Sequence, residues 1–138
     1  KFSFPSLDRT LNDPELAHDA HRFEYGNPNF LGCWVQKRSA EYVQSIGLGH
    51  IENRVRALTT YLIDAAERRQ IKIRTPRPWE QRAGIVSLDL GRDAGPAVKA
   101  LEKKRIIVSY KDTHLRVSAH FYNNEEDMDR LLDALPEV

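Results

Sequence analysis

The sequence predicts an α+β domain: a small, mostly antiparallel sheet with helices packed on one face. Three observations carry this. Two long stretches after Asn29 repeat their apolar residues every three or four positions, the spacing of one helix face. From Ile71 the repeat shortens to two, the mark of a half-buried strand. A last helical stripe follows Asn124, so the order reads helix, helix, strand, strand, helix, strand, strand, helix.

Residues 1–28 stand apart. Pro5, Asp8, Asn12, Asp13, Pro14, Asp19, Gly26, Asn27 and Pro28 are turn and breaker residues with few apolar residues between them. They are expected to form an N-terminal arm or connector, with a short helical turn after Pro14. A poorly ordered terminus is the plainer reading. Residues 29–138 are expected to form the α+β domain.

In the first helix, residues 29–46, Leu31, Trp34, Val35, Tyr42, Val43 and Ile46 make one apolar stripe. Gly47 and Gly49 bracket Leu48 and end it. The second helix runs from about His50 to Arg69, with Ile51, Val55, Leu58, Leu62 and Ala65 on one side. Ile71 and Ile73 alternate with Lys72 and Arg74 in a short edge-like strand before Pro76 and Pro78. A second strand covers residues 85–90, where Val86, Leu88 and Leu90 share a face. Pro96 suits the first position of a helix reaching Lys104. Residues 106–110 read as a third strand, residues 111–114 as a turn, and residues 115–119 as a fourth strand hairpinned to it. Asn124 is placed to cap the final helix, and Glu125, Glu126 and Asp127 suit the positive end of its dipole. Met128, Leu131, Leu132 and Leu135 form its apolar stripe.

Composition bounds the function classes. At 138 residues, 41% hydrophobic and 30% charged, the chain is an ordinary globular domain. A chain this long buries roughly 68% of its unfolded surface and needs no disulfide or metal to fold. The 21 Lys and Arg against 20 Asp and Glu leave a formal charge of +1, which removes the general electrostatic argument for a nucleic-acid or membrane partner but leaves room for a local basic patch. Cys33 is the only cysteine, so neither an intrachain disulfide nor a multi-cysteine metal site can form. One thiol fits a reducing compartment. No apolar run approaches the roughly 20 residues of a membrane span. The start at Lys1 lacks both a signal-peptide core and an initiator methionine, so the chain is expected to be a piece of a longer one.

Arg116 is the most informative residue. Alternation through residues 115–120 puts Leu115, Val117 and Ala119 on one face and Arg116, Ser118 and His120 on the other. Arginine supplies a planar fork matching a carboxylate in two hydrogen bonds, so this face suits an anion. On spacing alone, a solvent-facing strand is the simpler reading. Gly26-Asn27-Pro28-Asn29 precedes a helix start, where free N–H groups can hold phosphate; a capping turn explains it equally well. His18 and His21 are three apart without a third ligand nearby. His50, His114 and Cys33 have no required partners in the sequence and read as ordinary surface or half-buried residues. Arg68, Arg69, Lys72, Arg74, Arg77 and Arg82 cluster around Trp79, a pattern that nucleic-acid binders use, but Glu67 and Glu80 dilute it.

Two blocks carry a family resemblance. Arg22-Phe23-Glu24-Tyr25-Gly26-Asn27-Pro28-Asn29 and the run from Leu115 to Leu131, containing Arg116-Val117-Ser118-Ala119-His120-Phe121-Tyr122-Asn123-Asn124, resemble the C-terminal part of class V aminotransferase-like enzymes. These are pyridoxal-phosphate (PLP) enzymes of fold type I, including cysteine desulfurases, kynureninases and isopenicillin-N epimerase-like proteins. Ile46-Gly47, Ile51-Glu52 and residues 84–87 fall between the blocks in the expected order, so the resemblance covers about residues 22–135.

The resemblance implies a C-terminal small domain that packs on a large PLP-binding domain in a homodimer. It implies that Arg116 binds the α-carboxylate of an amino-acid substrate, and that Gly26 and Asn27 reach the cofactor phosphate of the opposite subunit. Asn27 departs from the family's usual threonine. None of the seven lysines stands in a Schiff-base context, so PLP is expected in the full-length parent and not on this fragment, which alone is expected to be inactive. The loop cysteine of the desulfurases is absent: residues 111–114 are Lys-Asp-Thr-His. The parent is expected to be cytoplasmic, without nucleic-acid or membrane partners. The alternative is a free-standing, non-enzymatic module that binds a small anion or acts in regulation.

Overall fold

The computed structural model describes residues 18–23 and 28–136. The chain divides into two compact units, residues 1–45 and 46–138.

In the first unit a 3-10 turn covers Ala20–Phe23, and helix α1 runs over Phe30–Ile46. Asn29 starts α1: its Oδ1 accepts a hydrogen bond from the Gly32 N–H at 2.8 Å, satisfying a first-turn donor that has no partner within the helix. Asn29 thus caps the start of α1. The apolar stripe is present, yet α1 buries none of its residues; Phe30, Leu31, Trp34 and Tyr42 are 61–75% exposed.

The second unit holds the sheet. Gly47, at φ +92°, turns the chain in the left-handed region, and α2, Leu48–Arg68, begins at once. Gly49 lies inside its first turn and takes no part in the break. Val55, Leu58, Leu62, Ile63, Ala65 and Ala66 form the buried side of α2, on the expected helical period. The helix closes with the Ile71 N–H donating to the Ala66 carbonyl.

Strand β1, Lys72–Ile73, is two residues long; β2 covers Ile85–Asp89, β3 Ser109–Lys111 and β4 His114–Ser118. The sheet order is β1-β2-β4-β3, and each neighbouring pair is antiparallel. Helix α3, Gly95–Lys103, lies between β2 and β3 in the chain, with Pro96 in its first turn. The third strand starts three residues later than the sequence predicts. Residues 105 and 106 are needed to close α3: Arg105 takes φ +60° and the Ile106 N–H donates to the Leu101 carbonyl, so ladder pairing waits until Ser109.

Helix α4, Glu125–Ala134, begins as expected. Asn124 and Asp127 form a reciprocal capping box, each side chain accepting from the other's backbone N–H. Buried residues of α2, α3 and α4 join Val86, Leu88, Leu90, Leu115, Val117 and Ala119 in one core. The expected α+β architecture, with helices on one sheet face, is the observed one. Arg54 of α2 ties the helices together, donating to both Glu125 carboxylate oxygens at 2.7 and 3.0 Å and to the Asn123 carbonyl at 3.0 Å. At Gly84 the chain passes so close to α2 that a Cβ would lie 3.0 Å from Val55 Cγ1 and 3.2 Å from the Ala119 carbonyl oxygen.

Candidate functional site

Helices α2, α3 and α4 cover one face of the sheet, and the other face carries three rows of side chains, the last of them Ile85 and Ser118. Directly opposed residues in antiparallel strands point to the same side. Lys72, Asp89, His114 and Lys111 make the first row, in register across β1, β2, β4 and β3. Ser87, Arg116 and Ser109 make the second. Arg74, whose N–H donates to the Ser87 carbonyl, extends that row beyond the end of β1.

Arg116 sits at the centre of the second row, exposed as alternation predicts. Its opposed neighbours are serines rather than acids, and among the described residues its guanidinium has no ion pair or hydrogen bond. Arg74 behaves differently: its Nε donates to Asp89 Oδ2 at 3.1 Å. Asp89 is the acid of this face and is fully engaged. The Gly91 N–H first, then the Thr113 hydroxyl and Arg74, hold its carboxyl down to about 2 from an ordinary 3.8. His114 Nε2 lies 3.8 Å from Asp89 Oδ2, too far to hydrogen-bond, and is buried without a partner among the described residues.

Besides Arg74, three of the six cations of the basic cluster around Trp79 make internal contacts. Arg77 donates to Asp64 at 2.7 and 2.8 Å and pairs with Glu67 at 3.0 Å. Arg82 donates to the hydroxyls of Thr59 and Thr60 and stacks over Trp79, whose indole N–H donates to Glu52. Arg69 pairs with Asp133. These three cations brace α2 against the loop before β2 and against α4, while Lys72 and Arg74 stand on the sheet face.

Gly26 and Asn27 lie outside the described residues, as does the His21 side chain, so the phosphate reading and the His18/His21 pair have no geometry here. Cys33 is exposed on α1. Among the described residues no three His, Cys, Asp or Glu side chains are grouped to hold a metal, and no helix is long and apolar enough to cross a membrane. A groove of about 180 Å³ separates residues 105–108 from β4 and α4; Val117, Met128 and Leu131 line it, with Arg105 and Arg130. Arg116 is not part of it.

Residues 51–135, more than half of the chain, match the family model of the kynureninase C-terminal domain. The chain belongs to that family. It is 25% identical to an uncharacterized aminotransferase, YcbU, of Bacillus subtilis strain 168 over 89% of its own length and 33% of the relative's. It is 25% identical to a probable cysteine desulfurase of Pyrococcus abyssi over 94% of its length and 37% of that protein's. A solved apo cysteine desulfurase of Thermococcus onnurineus NA1 superposes with a TM-score of 0.79 at 25% identity, covering 90% of this chain and 34% of that one. The chain thus spans about a third of the length of the relatives it matches. As a kynureninase C-terminal domain, it is a C-terminal small domain of the class V aminotransferase-like type, as the two sequence blocks imply.

The cofactor this family implies does not fit the described residues alone. PLP is held through a lysine amine in an enclosed site, and every described lysine is exposed. The groove beside α4 contains none. The candidate site of this kynureninase C-terminal domain is the exposed sheet face centred on Arg116. Its serine neighbours and Lys111 escaped the sequence reading, because their proximity depends on the register between strands and not on spacing within one.

Proposed function

We propose that the chain is the part of a PLP-dependent class V aminotransferase-like enzyme that orients an amino-acid substrate, with Arg116 taking the substrate carboxylate. The supporting observation is a guanidinium without an ion pair or hydrogen bond among the described residues, exposed at the centre of the sheet, on a residue that the family resemblance assigns to this task. A fork fixed on a central strand holds the carboxylate in one orientation and thereby fixes the bonds at Cα. PLP, when bound in the parent, supplies the electron sink for breaking one of those bonds. Gly26 and Asn27 are proposed to reach its phosphate.

The large domain is the proposed partner of this small domain, and the exposed apolar side of α1 supports a covering partner. The homodimer is carried over from the resemblance, and the cytoplasmic setting from the resemblance and the lone cysteine. Thiol-mediated desulfurisation is not the proposed reaction: the β3–β4 turn holds no cysteine, and Cys33 stands on α1.

Arg116→Lys in the full-length enzyme tests this. An ammonium keeps the charge but loses the planar fork, so KM for the amino acid should rise about tenfold or more. An unchanged KM removes Arg116 from the site. The second reading, a free-standing anion-binding module, is favoured by the self-contained core of residues 46–138. Sequencing the reading frame upstream of Lys1 separates the two: a large α/β segment with a Schiff-base lysine supports the enzyme, and a start codon there supports the module.

A further inference from the structure

The chain is almost neutral overall, yet the open sheet face is not. Lys72, Arg74, Lys111 and Arg116 stand on it against one acid, Asp89, and that acid already holds Arg74, the Gly91 N–H and the Thr113 hydroxyl. Lys111 has no ion pair among the described residues. It faces His114 directly across the β3–β4 ladder, and Arg116 is two positions further along β4. Lys111 and Arg116 are therefore diagonal neighbours on one face, about 7–8 Å apart at their backbones and within reach of each other's long side chains.

We propose that Lys111 is a second anion-holding group beside Arg116, so that this face selects an amino acid whose side chain ends in a carboxylate. This rests on the reading of Arg116 as the α-carboxylate site and adds the class of side chain. Two cations that no internal acid neutralises repel one another, and a dicarboxylate relieves that repulsion while a monocarboxylate relieves half of it. Arg116 supplies a directional fork; Lys111 supplies a point charge on a flexible stem, which tolerates a spread of side-chain lengths. Lys72 is separated from His114 by the whole of β2 and is too distant to share the same ligand.

The test uses the chain itself, labelled with ¹⁵N, titrated with glutarate and with butyrate at one low, matched ionic strength, following the backbone amides of β3 and β4. Glutarate should bind about two- to fivefold more tightly than butyrate, the range set by one exposed ion pair. Lys111→Gln should bring glutarate down towards the butyrate level and weaken butyrate by much less. Arg116→Gln should weaken both ligands. Equal affinities in the unmodified chain, or a glutarate preference that survives Lys111→Gln, overturn the role of Lys111 while Arg116-dependent butyrate binding keeps the carboxylate site. Loss of butyrate binding from the scheme altogether, with no shift at β4 in the unmodified chain, overturns both.

Discussion

The two sides of β4 obey different rules. Leu115 and Val117 are buried in the core, while Arg116 and Ser118, interleaved with them, are exposed and make no side-chain hydrogen bond or ion pair among the described residues. On the inner side each residue is fixed by its neighbours. On the outer side the residues make no contribution to the core, so they can carry charge without a folding cost. The difference teaches where to look for function in a small α+β domain: on the sheet face that the fold does not use. The largest expected effect tests the inner side. Leu88, fully buried and in register with Leu115, should cost about 2–5 kcal/mol when changed to Ala, read from urea unfolding. A loss below 1 kcal/mol would mean that the inner side is not closely packed.

How far the sequence reveals each side follows from the same contrast. Burial imposes a period, and a period can be read along one chain: α2, the Val86-Leu88-Leu90 face and the alternation of β4 were all legible. The Asn124 cap was legible because capping chemistry is local. Periodicity reports that an apolar face exists, not what covers it. Residues 30–46 and 48–68 carry similar stripes, yet α2 buries seven residues and α1 buries none. The apolar run from Ile106 misled for a related reason: Ile106 packs on the core while closing α3, which looks like strand alternation until the ladder is seen. The outer side is written in register. Ser87, Ser109 and Lys111 approach Arg116 only through pairings between separate strands, and Arg77 finds Asp64 and Glu67 only through the fold.

A smaller effect separates the Asp89 row of the outer face from the Arg116 row. Asp89 is stabilised as a carboxylate by the Gly91 N–H, the Thr113 hydroxyl and Arg74, so its folded pKa, about 2, lies below the ordinary 3.8. A carboxyl with a depressed folded pKa adds stability that is fully present above the unfolded value and is lost as pH falls through the folded one. Asp89→Asn should therefore be less stable than the unmodified chain at neutral pH, and the gap between them should close between about pH 4 and pH 2. Urea midpoints taken across that window check it. A gap that stays constant would show that the interactions of Asp89 do not depend on its charge.

The smallest expected effect is the sharpest test of the comparison. Among the described residues Arg116 has no hydrogen-bond or ion-pair partner to lose, and its opposed residues are serines that stay hydrated without it. Arg116→Gln should shift folding stability by no more than about 0.5 kcal/mol, the range of an exposed surface change. Removing one cation from a face that also holds Lys72, Arg74 and Lys111 lowers self-repulsion, so the shift should lean toward stabilisation and shrink as salt is added. Thermal melts at low and high ionic strength read both features. A destabilisation well beyond that range would show that Arg116 holds the sheet together, and its exposure would then need a structural explanation. A stability-neutral Arg116→Gln that abolishes carboxylate binding would place the residue where the two-sided logic of β4 puts it: on the side of the strand that folding leaves free for a ligand.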